Sequence, residues 1–163
     1  MLIMEYYIVQ FDDENSTKYA IWYTDDEDGF ICEEGKILFF DSLKLLKEFC
    51  NTQKIIITDE DEIPFVYDLV YLKNWLRTPG ENFDCSDMLD FWNMISDALK
   101  NIGIAFLGDC KDGEDVNIIY DKLFHGCNLP AYSTSGRKYV PEWTKEEIGT
   151  LQKVLSQYEF FWY

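Results

Sequence analysis

The sequence predicts an α+β fold: an N-terminal antiparallel β-meander packed against C-terminal helices, in a single domain. Three observations carry this. Residues 1–67 are β-branched and aromatic runs broken by closely spaced acidic or glycine turns. Residues 68–163 carry apolar positions at helical spacing, with capping residues where helices should begin. A chain of 163 residues, 47% apolar and 17% aromatic, is long and oily enough for one core rather than disorder.

In the first region, Glu5 to Phe11 reads as a strand, Asp12-Asp13-Glu14-Asn15-Ser16 as a turn, and Lys18 to Thr24 as the returning strand. Asp25-Asp26-Glu27-Asp28-Gly29 makes a second turn into Phe30-Ile31-Cys32. Glu34-Gly35 makes a third before Lys36 to Phe40. Asp41 or Ser42 caps a short helix through Cys50 that turns Leu43, Leu46, Phe49 and Cys50 inward. Lys54 to Thr58 contains Ile55-Ile56-Ile57, continuous enough for a central strand, and Asp59-Glu60-Asp61-Glu62 follows at its end.

Beyond Pro64, Phe65-Val66-Tyr67 forms a short strand, and Asp68 caps a helix through Leu76 that ends before Thr78-Pro79-Gly80. The helix opening at Asp84 is the organising element. Met88, Trp92, Ile95, Leu99 and Ile102 fall at i, i+4, i+7, i+11 and i+14, one broad apolar stripe. Asp84 is its N-cap, with Asp87 at N3, and Gly103 its left-handed stop. Ile104 to Leu107 fits a helix or a strand. After a polar loop, Val116 to His125 is helical with Ile119, Tyr120 and Leu123 inward, and Gly126 stops it. Asn128-Leu129-Pro130 and Ser133-Thr134-Ser135-Gly136 are extended loop or turn. Thr144 with Glu147 makes a capping box, Trp143 and Ile148 a hydrophobic staple, and Ile148, Leu151, Leu155 and Tyr158 the inner face of the last helix. The tail Phe160-Phe161-Trp162-Tyr163 must dock on the core or meet a partner.

Charge sets the class of partner. There are 31 acidic residues against 14 basic ones, a net charge of −17, and residues 1–68 alone hold 17 acids and 5 bases. Such an excess disfavours nucleic acid and anionic membrane and favours a cationic partner, against the plainer reading of charge kept for solubility. Three acidic segments stand out: Asp12-Asp13-Glu14, Asp25-Asp26-Glu27-Asp28 and Asp59-Glu60-Asp61-Glu62. In a meander the first two sit at opposite ends of a strand, and the third can join either. The candidate partner-binding residues are Asp25, Asp26, Glu27, Asp28, Asp59, Glu60, Asp61 and Glu62; the neighbouring aromatics Trp22, Tyr23 and Phe30 suit anchors at an interface centre but are expected to be mostly core.

Catalytic and cofactor signals are few, and no catalytic, cofactor or metal residue is assigned. Phosphate-binding, dinucleotide, nucleophile-elbow and zinc-protease motifs do not occur in the sequence. Thr24 to Gly29 resembles part of a calcium loop, but Thr24 and Gly35 stand where the first and twelfth ligands belong; Asp109 to Gly113 fails likewise, with Lys111 at a ligand position. His125, the only histidine, lies four residues after Asp121, a spacing open to acid–base chemistry or to simple C-terminal capping. Cys32, Cys50, Cys85, Cys110 and Cys127 contain no C-x-x-C pair and read as reduced, buried thiols, although Cys85 and Cys127 lie near helix ends that can stabilise a thiolate. The start Met1-Leu2-Ile3-Met4 is broken at Glu5, so no signal peptide is expected, and no apolar run approaches membrane-helix length; the expected location is cytoplasmic.

Phe91-Trp92-Asn93, then Ile119 to Pro130 (Ile-Tyr-Asp-Lys-Leu-Phe-His-Gly-Cys-Asn-Leu-Pro), then Tyr139-Val140-Pro141-Glu142-Trp143 with Glu146-Glu147, resemble the immunity proteins of bacterial polymorphic toxin systems, including contact-dependent growth inhibition. The resemblance covers roughly the C-terminal half. It implies a protein that binds and neutralises one cognate toxin domain, often a basic nuclease. It also implies that Trp92 and Leu123 are core, that Asn128 bonds loop backbone and that Pro130 fixes a turn; no interface residue carries over. The expected function is therefore toxin neutralisation through an acidic surface, without catalysis. The alternative is a DNA-mimic inhibitor of a nucleic-acid enzyme, such as an anti-restriction or anti-CRISPR protein.

Overall fold

The computed structural model describes residues 4–109, 114–132 and 136–162. It is α+β, with every strand among the described residues preceding residue 69. The strands are β1 (Glu5–Asp13), β2 (Ser16–Thr24), β3 (Gly29–Phe30), β4 (Cys32–Glu33), β5 (Lys36–Ile37) and β6 (Phe65–Asp68). The helices are α1 (Leu43–Gln53), α2 (Leu69–Arg77), α3 (Cys85–Ile102), α4 (Glu114–Gly126) and α5 (Lys145–Leu155). Contacts divide the chain into two compact units, residues 1–74 with 97–104 and residues 75–96 with 105–163.

The first unit holds a four-stranded sheet in the order β3-β2-β1-β6. β1 and β2 form a hairpin whose two-residue turn leaves Asp13 opposite Ser16 and, at the far end, Glu5 opposite Thr24. Asp12 and Asp13 thus belong to the strand, and the turn is Glu14-Asn15. Alternation sorts the side chains. Ile8 and Ile21 face Phe40 and the α1 residues Leu46 and Cys50, while Val9, Phe11 and Ala20 are buried on the opposite face. There the Phe11 ring lies 5.5 Å from Phe39 and 5.4 Å from Tyr67. The Glu34-Gly35 turn links β4 to β5, both residues having positive φ (53° and 76°), the geometry a two-residue hairpin requires.

Two expectations for this half are corrected. The sheet is not a purely antiparallel meander, because β6 pairs parallel to β1 (Val9 with Phe65, Asp12 with Asp68), and β4 and β5 form a separate two-stranded ribbon. Lys54 to Thr58 is not a central strand. Lys54 ends α1 in the left-handed conformation (φ 57°) and Asp59 is left-handed again (φ 51°), so the chain turns at both ends of the segment and does not continue a ladder along β1. Ile57 makes a single bridge to Tyr6, and Ile56, at 85% exposure, points to solvent.

The capping residues perform as the sequence indicates. Ser42 accepts from the Leu45 amide, Asp68 from Tyr71, and Asp84 from both Ser86 and Asp87. Gly103, at φ 75°, closes α3. The α3 end carries Asn101, whose side-chain oxygen accepts the Phe30 amide at 2.8 Å and whose NH2 donates to the Tyr23 hydroxyl at 3.4 Å. A side chain at Gly29 would displace this pair, since a Cβ there would lie 2.6 Å from the Asn101 nitrogen and 2.8 Å from the Tyr23 hydroxyl.

In the second unit Trp92, Ile119 and Leu123 are buried, and the Trp92 ring meets Phe106 at 5.7 Å and Tyr120 at 5.8 Å. The segment after α3 is neither helix nor strand. The buried Gln157 amide holds it, accepting from Leu107 N at 2.8 Å and donating to Ala105 O at 3.1 Å, and a 3-10 turn, Leu107–Asp109, follows. Thr144 and Glu147 form the capping box of α5, and Lys122 bonds Glu147 at 2.9 Å and Glu142 O at 2.8 Å. Phe161 and Trp162 are buried, so the tail docks on the core, with Phe160 half-exposed. Cys110 to Gly113, Ser133 to Ser135, Tyr163 and Met1 to Ile3 lie outside the described residues.

The stop of α4 differs from expectation. Gly126 is its last residue without positive φ; the left-handed residue is Asn128, at φ 53°. Gly126 is there for space, because a Cβ would lie 2.5 Å from the Cys85 sulfur. Asn128 brackets the loop as the family resemblance implies: its NH2 donates to Gly126 O and Tyr139 O at 3.0 Å, and its oxygen accepts the Tyr139 amide at 2.7 Å. Asn128→Ala is expected to cost about 2 kcal/mol, three modest hydrogen bonds plus an unfavourable left-handed alanine. Asn128→Gly should recover about 1 kcal/mol of that by relieving the backbone alone, as read from urea melts. Equal stability of all three proteins would refute the bracket.

Candidate partner-binding face

Both candidate acidic segments leave the sheet of the first unit at the same end. Because Glu5 pairs with Thr24, the Asp25–Asp28 turn begins where β1 begins. On the other edge of β1, the parallel Ile57 bridge to Tyr6 and the hydrogen bond from Thr58 N to Tyr6 O (2.8 Å) place Asp59 beside the first half of β1, towards that end. β6 runs parallel to β1 and starts opposite Val9, so Glu60, Asp61 and Glu62 precede it on the same side. The Asp59 carbonyl accepts the Glu62 amide at 2.8 Å, tying the turn into a tight loop. All eight candidate carboxylates, and Glu5 with them, are exposed.

The remaining acidic segment, Asp12-Asp13-Glu14, lies at the opposite end of the hairpin and is partly neutralised. Asp13 accepts two bonds from Lys73 (2.6 and 2.7 Å), and Asp12 accepts from Gln10 and Thr17. By contrast, the ion pair of Glu27 with Lys100, 3.5 Å and open to water on both sides, is the only one that the nine carboxylates make among the described residues. An exposed pair of this kind contributes little and leaves the local field strongly negative.

Of the three aromatic anchors, Phe30 is core and Tyr23 is tied to Asn101. Tyr23 and Trp22 are both half-buried, and Trp22 lies on the face of Tyr7, its cross-strand partner at 6.0 Å, with Phe65 at 5.5 Å edge to face. Glu5, Tyr7 and Phe65 were not singled out by sequence reasoning. The available signal was alternation, which places Glu5 and Tyr7 on the face of Val9 and Phe11. Tyr7 donates its hydroxyl to Glu5; that bond, reinforced by the charges of Glu5 and Asp59, raises the phenol above its ordinary pKa.

Other candidate chemistry is dispersed. Asp121 and His125 are both exposed on α4, and no hydrogen bond joins their side chains among the described residues. Burial pushes the Cys85 thiol up to about 11, helped by Cys127 and Asp84, and raises Cys127 as well, so desolvation outweighs any helix-end stabilisation of a thiolate. No group of three or more His, Cys, Asp or Glu among the described residues could hold a metal ion. A cleft of about 670 Å³ is lined by Leu107, Gln152, Lys153, Ser156, Gln157, Glu159 and Phe160; the side chains of Gln152, Ser156 and Gln157 are bonded to backbone, which leaves Lys153 and Glu159 as its charged groups. No helix among the described residues is long and apolar enough to cross a membrane.

Comparison with known proteins adds no relative: no family model matches the chain, no curated protein sequence matches it, and no solved structure matches its fold.

Proposed function

We propose that this chain is an immunity-type inhibitor that binds and neutralises one cognate, basic toxin domain in the cytoplasm, acting by occlusion rather than catalysis. The observation that supports this best is the gathering of Asp25–Asp28, Asp59–Glu62 and Glu5 towards one end of one sheet, where Glu27 with Lys100 is the one ion pair they make among the described residues. A fold pays for such concentrated like charge in self-repulsion, and a cationic partner relieves it on binding. A nuclease domain suits the role because an enzyme that grips nucleic acid carries a positive surface for a carboxylate cluster to cover. The sequence resemblance to immunity proteins points the same way.

The test is the reading frame beside the gene. A secreted protein's variable C-terminal domain encoded there should form a nanomolar or tighter, salt-sensitive complex with this chain, and co-expression should protect cells from it. Neither complex nor protection would end the proposal. Displacement of DNA from an unrelated nucleic-acid enzyme by the purified chain would favour the DNA-mimic alternative instead.

A further inference from the structure

We propose that the ring cluster of Tyr7, Trp22 and Phe65 is the seat for an arginine side chain of the basic partner, with the Glu5 carboxylate fixing the guanidinium. The inference rests on the acidic-end reading above and adds what that end recognises.

The sheet face carrying these rings is closed at one end and open at the other. Val9, Phe11 and Ala20 are buried, but further along the same face Tyr7 and Trp22 are only half-buried, and Phe65 on edge strand β6 is 39% exposed. Three large rings, with Trp22 touching both Tyr7 and Phe65 and all left partly open to water, form an anchor of the kind found at interface centres. Among the described residues no cation of the chain itself lies over them; the cation–ring contact seen, Lys122 on Trp143, is in the second unit. The rings open at the acidic end, where the field draws positive groups and repels nucleic acid and anionic lipid.

Glu5 selects among cations. Tyr7 donates its hydroxyl to this carboxylate, which holds it at the ring edge, and no other described residue bonds its oxygens. A guanidinium can stack on a ring while its N–H fork meets a carboxylate; an ammonium offers a point charge without a flat face. The acidic turns on either side then take further basic residues of the same segment.

The probe is a capped tri-arginine peptide, with capped tri-lysine as comparison, titrated at low salt into the 15N-labelled full chain. The Trp22 indole N–H resonance is assigned by its loss in Trp22→Phe. It should shift saturably with tri-arginine, with an affinity about fivefold better than for tri-lysine. Tyr7→Phe, which keeps the ring but releases Glu5, and Phe65→Ala should each weaken tri-arginine several-fold, with the remaining resonances showing an intact fold. If the amides of Asp25–Asp28 and Asp59–Glu62 shift while the Trp22 indole does not, the arginine seat is wrong and the acidic-end reading stands. If neither moves, both fail. Equal response to tri-lysine overturns the selection by Glu5.

Discussion

Truncating Trp92 to alanine is expected to remove about 3–5 kcal/mol of stability, the usual cost of deleting a buried indole. Trp92 sits on the inward stripe of α3, is nearly inaccessible, and touches Phe106 and Tyr120 from two other segments of the second unit. Its surroundings are tight: a Cβ on Gly108 would lie 2.8 Å from the Trp92 ring and 2.2 Å from Phe106. Neighbours packed this closely collapse poorly into a void, so the cavity term adds to the transfer term. Domains of this size hold only about 5–15 kcal/mol in total, and the variant should be marginal at 37 °C. Trp92→Phe should cost about half as much, and Ile56→Ala, at an exposed site, less than about 0.5 kcal/mol. Urea denaturation gives all three values. A Trp92→Ala protein within about 1 kcal/mol of the parent would refute the hub role.

Neutralising the acidic end is expected to slow association with the basic partner by about 10–100-fold at low ionic strength, and to leave the fold as stable or more so. The suitable variant is Asp25→Asn, Asp26→Asn, Asp28→Asn, Asp59→Asn and Asp61→Asn together. Asparagine preserves shape, and at Asp59 it tolerates the left-handed backbone (φ 51°) that other residues would strain. The rate difference should shrink as salt shortens the screening length to about 3 Å near 1 M. Stability should rise by about 1 kcal/mol because like charges are removed from exposed turns that make few compensating contacts. Stopped-flow association and thermal melts read the two effects separately. Loss of stability with unchanged association would mean that these carboxylates serve the turns and not a partner.

What could be read in advance follows the range of the interaction involved. The Thr144–Glu147 box, the Ser42, Asp68 and Asp84 caps, and the α3 stripe each depend on groups a few residues apart, so spacing alone locates them. The Gly126 stop misleads because glycine serves two ends, left-handed backbone and close approach. Only the position of Cys85, far away in the chain, distinguishes them. Ile55-Ile56-Ile57 misleads because hydrophobicity does not reveal the two left-handed residues that bracket it at Lys54 and Asp59.

Left to itself, the sequence determined the α+β class, the hairpin of β1 and β2, the helix starts, and an acidic surplus concentrated before residue 69. The tertiary structure alone decided that Asp25–Asp28 and Asp59–Glu62 share an end, and that Tyr7, Trp22 and Phe65 meet beside them. The reason is physical. A hairpin's direction is set by its two-residue turn, whereas a parallel pairing such as β6 on β1 spans more than fifty residues and is chosen by packing on both sheet faces at once.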